Sequence, residues 1–170
     1  MSSADRNNIL SVDYFADLNS DIVKAPETIY LSEVNIPTRS FLQGFTNSNG
    51  ALLQDDKGQT LVEYFALKME SILKLGPNDS AGYYELATVS DDGTVLQIKE
   101  NNTWNTIVSN DGAHSTRMGC MNRSIYLDQD SRVPIRIFYN QGPREMIANV
   151  LIWNYRGKDP MTSQGARADP

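Results

Sequence analysis

The chain has 170 residues and a mass of 19.0 kDa, which is enough for one domain with a hydrophobic core and short for two. Hydrophobic residues make up 40% of it and charged residues 21%, a composition that excludes a disordered or membrane-embedded chain. The net charge of -6 would repel a phosphate backbone, and no Lys/Arg cluster offsets it. Nucleic acid is therefore excluded as a partner.

Insertion into a membrane is not expected. The longest apolar run, residues 147–153, is interrupted by Asn149 and is far too short to cross a bilayer. The first residues, MSSADRNN, lack the charged and then apolar pattern of a secretory leader. Because Met1 can equally begin a trimmed chain, this absence leaves the location of the protein open.

Both ends of the chain are predicted to lie outside the main domain. Residues 1–28 are polar and show no sustained period, which predicts an irregular N-terminal extension that packs at a few points. Residues 157–170 are rich in Gly, Pro, Ser, Asp and Lys and can bury little apolar surface, so we expect a flexible tail or linker. The predicted domain then covers residues 29–156.

The first strands are predicted from alternation of apolar and polar residues. Residues 65–75 alternate with the period of a half-buried strand, although no helix breaker occurs between Leu61 and Leu75 and a helix is the alternative there. Residues 83–88 alternate in the same way. The sequence Asp91-Asp92-Gly93 then predicts a turn, and Leu96 and Ile98 resume the alternation, so this region predicts a hairpin.

The C-terminal part repeats this pattern. Residues 135–139 alternate, residues 140–143 (NQGP) predict a turn, and residues 147–153 predict a buried strand with Trp153 in the core. Cys120, the single cysteine, cannot form an intrachain disulfide and is predicted to be a small buried residue. Short strands separated by Gly, Pro, Asn and Asp are typical of an all-β sandwich or barrel.

Two acidic pairs precede glycines, Asp55-Asp56 and Asp91-Asp92. Aspartate is common in turns because it bonds to its own main chain, and we assign Asp55 and Asp56 to that role. Adjacent carboxylates can also serve calcium, which takes six to eight oxygens in irregular geometry. Because neighbouring side chains of an extended chain point to opposite faces, both can reach one ion only in an unusual turn, such as one with a cis peptide.

A series of short motifs resembles a known family when it is read in order. The motifs are IPTRSF at 36–41, GF at 44–45, EYFA at 63–66, SDDG at 90–93, NDGAH at 110–114, PIR at 134–136, YNQGPR at 139–144 and LIW at 151–153. Together they resemble the protective-antigen fourteen-kilodalton lectin-like domain of bacterial adhesins and toxins and of yeast flocculins. The resemblance covers about residues 29–155 and implies an antiparallel β-sandwich.

The resemblance also implies a calcium site that binds carbohydrate. In the sugar-binding branch of this family two aspartates joined by a cis peptide hold calcium, and Asp91 and Asp92 occupy those positions. A second loop supplies an amide and main-chain carbonyls, which implies Gln141 and Gly142 as further ligands. Two neighbouring sugar hydroxyls would complete the coordination of the ion. The implied partner is a cell-surface glycan or polysaccharide, and the implied location is extracellular or at the cell surface, as part of a larger surface protein.

Further residues are candidates for the sugar site, each with a plain structural alternative. His114 and Arg144 could hydrogen-bond to sugar hydroxyls, but a single loop histidine more often has a structural role, and Arg144 could simply pair with an acid. Trp104 is predicted to be exposed and could stack on a sugar or cover the edge of a sheet. No nucleophile motif accompanies His114, so the chain is not predicted to be an enzyme.

Two alternatives to a lectin remain open from the sequence. The first is a structural or protein-binding sandwich of a surface protein that binds no sugar. The second is a glycosidase with paired carboxylates, for which adjacent Asp91 and Asp92 are poorly placed, because such carboxylates flank the scissile bond. Which sugar a lectin of this kind would bind is not encoded in any pattern that the sequence shows.

Overall fold

The computed structural model describes residues 30–47, 49–55, 57–143 and 145–158. The predicted N-terminal extension, residues 1–28, lies outside the described residues, and so does most of the predicted tail. The last strand runs to Gly157, one residue past the predicted domain boundary. No helix among the described residues is long and apolar enough to cross a membrane.

Within these ranges the chain forms nine strands and one short 3-10 helix. They are β1 (Asn35–Ser40), the 3-10 helix (Phe41–Gln43), β2 (Phe65–Leu73), β3 (Gly82–Asp91), β4 (Thr94–Glu100), β5 (Thr103–Asn110), β6 (Arg117–Cys120), β7 (Ile125–Leu127), β8 (Val133–Gln141) and β9 (Met146–Gly157).

The strands form two antiparallel sheets, which confirms the predicted β-sandwich. One sheet has the order β1-β9-β3-β6, with β7 also paired to β3, and the other has the order β2-β8-β4-β5. The helical alternative for the segment at Leu61 to Leu75 is wrong, because Phe65 to Leu73 pairs residue by residue with β8. Its alternating side chains find a buried face only as a strand.

The main core lies between the two sheets. Leu86 of β3, Leu96 and Ile98 of β4 and Ile137 of β8 are almost completely buried there. These residues occupy alternate positions, so the inward face of each strand supplies the core. Burial of each such side chain contributes about 2 kcal/mol to folding before the entropy cost is counted.

A smaller aromatic cluster fills one end of the sandwich. The ring centroids of Phe45 and Tyr139 are 4.9 Å apart, and those of Phe45 and Phe65 are 5.6 Å apart in an edge-to-face arrangement. Ile36 and Ile147 complete the packing from β1 and β9. Because Tyr139 is fully buried, its hydroxyl needs a partner inside the protein.

The hairpin predicted around Asp91 is wrong. β3 and β4 belong to opposite sheets, so residues 91–93 carry the chain across the sandwich. The hairpin lies one strand later, where Asn101 and Asn102 join β4 to β5 with φ values of 48° and 63°. Asparagine tolerates this left-handed backbone better than most residues, and two such residues are typical of a tight hairpin turn. Turn residues mark a change of direction but do not reveal which sheet comes next.

The predicted burial of Trp153 and Cys120 is also wrong. Buried positions in β9 end at Asn149, and Trp153 is 46% exposed, in contact with the ring of Tyr84. The apolar run therefore extends beyond the buried part of the strand. Cys120 lies on β6, at one end of the strand order, and is paired with Ala87. This position faces away from Leu86 in the core and leaves the thiol exposed.

Candidate functional site

Three connections between the two sheets meet at one end of the sandwich. They are residues 91–93 between β3 and β4, residues 111–116 between β5 and β6, and residues 142–145 between β8 and β9. Antiparallel pairing brings them together, since Ser90 lies opposite Arg117 and Asp91 lies opposite Ala148. The predicted acidic turn and the predicted NQGP turn are therefore neighbours in space.

Asp92 joins these three connections through its carboxylate. Oδ1 accepts a 3.0 Å hydrogen bond from the backbone N–H of His114, and Oδ2 accepts a 2.7 Å bond from that of Gly142. The residue is only 8% exposed. Charge-assisted bonds of this kind are stronger than neutral ones, so Asp92 holds the two loops against its own turn.

Asp91 lies beside Asp92 and is equally buried, at 6% exposure. Its Oδ2 accepts a 2.9 Å hydrogen bond from the hydroxyl of Thr116, in the connection between β5 and β6. The peptide bond between Asp91 and Asp92 is cis, the form that the sequence resemblance implies. Both carboxylates thus bond to the connection between β5 and β6, and Asp92 also bonds to the connection between β8 and β9.

Among the described residues, neither Asp91 nor Asp92 forms an ion pair with a Lys or Arg side chain. The ion pairs among the described residues join Lys68 to Glu70, Arg123 to Glu100 and Arg156 to Glu85, and none involves the acidic turn. Burial raises the pKa of Asp92, and the negative charge of Asp91 raises it further, while the N–H groups of Gly142 and His114 and the charge of the His114 ring act in the opposite direction. Ionised Asp92 is therefore held in an unfavourable environment.

The hydroxyl of Tyr139 connects the aromatic cluster to the acidic turn. It lies 2.6 Å from the carbonyl oxygen of Asp91 and 2.5 Å from Oε1 of Gln141. Both oxygens can only accept, and the hydroxyl has one proton, so it can donate to only one of them at a time. Burial and the nearby charges of Asp92 and Asp91 raise the pKa of Tyr139, which keeps the phenol protonated.

Gln141 is the last residue of β8 and is fully buried. Besides the contact of Oε1 with Tyr139, its Nε2 donates to the carbonyl of Met146 at 3.0 Å. Its amide oxygen therefore points toward the hydroxyl that also reaches Asp91. A carbonyl oxygen accepts up to two bonds, so Oε1 retains a lone pair while it receives the Tyr139 proton.

Gly142 brings the connection between β8 and β9 close to the acidic turn. A Cβ atom at this position would lie 2.9 Å from Oδ2 of Asp92, so a side chain here would require the carboxylate or the loop to move. The adjacent Asn140 holds the acidic turn from the other direction, because its Oδ1 accepts from the N–H of Gly93 and its own N–H donates to the Gly93 carbonyl. The end of β8 is thus bonded to the whole turn from Asp92 to Gly93.

His114 contributes to the site through its main chain. Its ring nitrogens lie 3.0 Å from the carbonyl oxygen of Asn110 and 2.9 Å from that of Ser115, which fixes the ring within its own loop. Asn110 is 2% exposed and bonds to Ser90 and Arg117. These bonds fold the loop back over the acidic turn and present the N–H of His114 to Asp92.

The other candidate residues have different surroundings. Arg144 lies outside the described residues. Oδ1 of Asp55 accepts from the N–H groups of Lys57 and Gln59 at 2.9 and 2.8 Å, which is the turn role assigned to it from the sequence. Trp104 is half-buried, and the guanidinium of Arg136 lies 4.3 Å from its ring centroid. That face of the indole is occupied by a cation.

Sequence reasoning did not identify Thr116, Tyr139 and Asn140 as part of the site. One signal was available, because the inward-facing positions of two strands change from apolar or aromatic to polar residues near the strand end. In β3 Leu86 is followed by Thr88 and Ser90, and in β8 Tyr139 is followed by Gln141. Polar side chains at core positions require partners, so they indicate a buried polar network. The pattern does not specify what those partners are.

The donor atoms suit a hard cation better than a transition metal. Within the described ranges no group of three or more His, Cys, Asp or Glu side chains is placed to hold a metal ion. What the turn offers is two carboxylates with carbonyl, amide and hydroxyl oxygens around them. Oxygen-rich sets of this kind are what calcium binds, since it accepts carbonyls and water alongside carboxylates.

Comparison of the chain with models of protein families, with curated proteins and with solved structures found no match. The fold and the site define the class of protein as an antiparallel β-sandwich with a buried acidic pair where three connections between its sheets meet.

Proposed function

We propose that the chain is a calcium-dependent carbohydrate-binding domain of the protective-antigen type, acting at a cell surface. One observation carries the proposal: Asp91 and Asp92 are consecutive, 6% and 8% exposed, and neither pairs with a Lys or Arg side chain among the described residues. Burial of a carboxylate is costly unless it is paired or binds a metal. A bound cation would supply the missing charge.

Four residues are proposed to hold the ion. Asp91 and Asp92 supply carboxylate oxygens, Gly142 supplies its carbonyl, and Gln141 supplies its amide oxygen. Calcium, when bound, offers coordination positions that two adjacent hydroxyls of a sugar can fill. The same two carboxylates would accept hydrogen bonds from those hydroxyls, and His114 and Arg144 are proposed to border the sugar.

The cell-surface location and the place within a larger surface protein are proposed from the motif resemblance alone. The absence of catalysis is supported by the geometry of the acidic pair. Glycosidases place their two carboxyl groups on opposite sides of the bond that is cleaved. Asp91 and Asp92 lie on one turn and both bond to neighbouring loops, so they do not form such a pair.

Calorimetric titration of the chain with calcium tests the metal. We expect a saturable heat for the unmodified chain and no heat for the double variant Asp91→Asn/Asp92→Asn. Asp55→Asn is the matched control, because it removes one carboxylate from a surface turn and should leave the titration unchanged. If the unmodified chain gives no heat, or the double variant gives the same heat, there is no calcium site at this turn.

A glycan array with calcium and with EDTA tests the ligand. We expect a small set of glycans to be retained in calcium and lost in EDTA and in the double variant. Calcium binding without any retained glycan would favour a structural or protein-binding sandwich. Oligosaccharide turnover in calcium-free buffer that disappears in Asp92→Asn would instead indicate an enzyme.

A further inference from the structure

A cleft lies at the opposite end of the sandwich from the acidic turn. It has a volume of about 350 Å³, within the range of small-molecule sites. Tyr83, at the start of β3, lines it, whereas Asp91 ends the same strand, so roughly 25 Å of strand separates the two sites. The lining residues are Tyr83, Ile98, Lys99, Glu100, Arg123, Ser124, Ile125, Tyr126, Arg132 and Val133.

The lining of this cleft is basic although the protein is acidic. Lys99, Arg123 and Arg132 contribute three positive charges against the single negative charge of Glu100, while the whole chain carries -6. Arg123 and Glu100 pair with each other at 2.6 Å. The ammonium of Lys99 lies 6.0 Å from the ring centroid of Trp104, and Arg132 forms no ion pair among the described residues. The positive charge that remains makes the cleft complementary to an anion.

Arg132 is positioned to receive the anionic group. Its Nη1 donates to the carbonyls of Gln129 and Ser131 at 2.9 and 2.7 Å, which fixes the plane of the guanidinium. The N–H groups on Nε and Nη2 have no protein partner among the described residues. Guanidinium groups bind planar carboxylates through two parallel hydrogen bonds, so a fixed guanidinium edge is a carboxylate receptor.

Two tyrosines add an aromatic surface to the basic cleft. The rings of Tyr83 and Tyr126 pack edge-to-face with centroids 5.4 Å apart, and Tyr126 is 52% exposed. An exposed ring held by a neighbour offers a flat apolar face at little entropy cost, while its hydroxyl can still hydrogen-bond. A free phosphate ion has no apolar surface to pack against such a ring, whereas a sugar ring has C–H groups that can.

We propose that this cleft binds an acidic saccharide without metal: Arg132 pairs with a uronate carboxylate and Tyr126 packs against the sugar ring. The inference is independent of the proposed calcium site, because no residue is shared between them. A chain with both sites would hold an anionic polysaccharide at two ends, which increases the overall affinity through effective concentration.

Calorimetry with the full chain in EDTA tests the proposal, with trigalacturonic acid, maltotriose and inorganic phosphate as probes. We expect binding of trigalacturonic acid and none of maltotriose. Arg132→Gln should weaken binding about tenfold or more. Tyr126→Ala, a change at an exposed position, should also weaken it. Lys57→Gln, an equal change of charge in the loop before β2, should have no effect, and Asp91→Asn/Asp92→Asn should bind the acid normally.

Three results would overturn the proposal. Absence of trigalacturonic acid binding is one. Equal weakening in Arg132→Gln and Lys57→Gln is the second, because it would mean general attraction to an anion. The third is phosphate binding as tight as that of the trisaccharide with no effect of Tyr126→Ala, which would indicate a simple anion site. Loss of calcium binding at the acidic turn with uronate binding intact would reject the proposed function and support this one.

Discussion

The backbone N–H of Gly142 donates to Oδ2 of Asp92 at 2.7 Å, across a separation of 50 residues in the chain. The bond joins the connection that leaves β3 to the connection that leaves β8, although the two strands belong to opposite sheets. A second bond from Asp92 reaches His114 and includes the third connection. One carboxylate therefore fixes the relative positions of all the loops that form the candidate site.

Gly142→Ala should destabilise the domain by about 1 to 3 kcal/mol, because the new Cβ would lie 2.9 Å from the Asp92 carboxylate and one of the two must move. Denaturant unfolding measures the change. In an Asp92→Ala background the same substitution should cost little, since the colliding atom is absent. An equal cost in both backgrounds would show that the conformation of the loop, and not Asp92, excludes the side chain.

Tyr139→Phe should cost about 1 to 3 kcal/mol, since it leaves the carbonyl of Asp91 and the amide of Gln141 without their shared buried donor. The packing of the ring against Phe45 would be unchanged. Tyr84→Phe is the matched control: its hydroxyl bonds to the Ser80 carbonyl nearer the surface, so its loss should cost less. Thermal unfolding of the two variants measures the stability lost with each hydroxyl. Equal losses of stability would contradict a special role for the Tyr139 hydroxyl.

Gly119→Ala should disrupt the loop that presents His114. A Cβ atom at Gly119 would lie 2.4 Å from Cβ of Asn110, which neither residue can avoid without a backbone shift. We expect a loss of about 2 kcal/mol or more, measured by denaturant unfolding. Met118→Ala, on the same strand and 55% exposed in the unmodified chain, should change stability by less than about 1 kcal/mol. Similar losses for both would contradict the steric explanation.

Asp111→Asn should change the pH dependence of stability. Burial raises the pKa of Asp111 above the ordinary value of 3.8, against the opposing effects of the Gly112 N–H and of His114. A raised pKa in the folded state contributes stability below the unfolded pKa, and this contribution is lost as the pH rises through the folded pKa. Asparagine stays neutral and keeps the bond from Gly112, so its Tm should exceed that of the unmodified chain at pH 7 and approach it near pH 3. A difference independent of pH would contradict this assignment.

Alternation in the sequence was sufficient to predict the fold class and several strands. Period-two patterns at residues 65–75 and 135–139 reflect a property of each strand alone, because successive side chains point to opposite faces whichever strand is the neighbour. The same local reasoning failed for Trp153. Its apolar run predicts burial, but the buried positions of β9 end at Asn149. Where burial ends depends on which other segments pack over the strand, and the strand's own sequence does not specify them.

The candidate site was predictable only in part. Asp91, Asp92, Gln141 and Gly142 stood out through motif resemblance. Tyr139 and Asn140 lie in the same YNQGPR motif but were given no role, and Thr116 lies in none of the motifs. The roles of these three depend on contacts such as the bond from Thr116 to Asp91, which spans 25 residues. No local pattern encodes which side chain a buried polar group will meet.

The sequence by itself determined that this protein is built of short antiparallel strands and that two carboxylates stand together at a change of direction. Only the tertiary structure decided that the change of direction is a crossing between sheets, which makes Asp92 the meeting point of three connections. The reason is physical: turn chemistry acts over a few residues, but the choice of sheet follows from packing of the whole core. The burial of both carboxylates at one turn is a product of that packing.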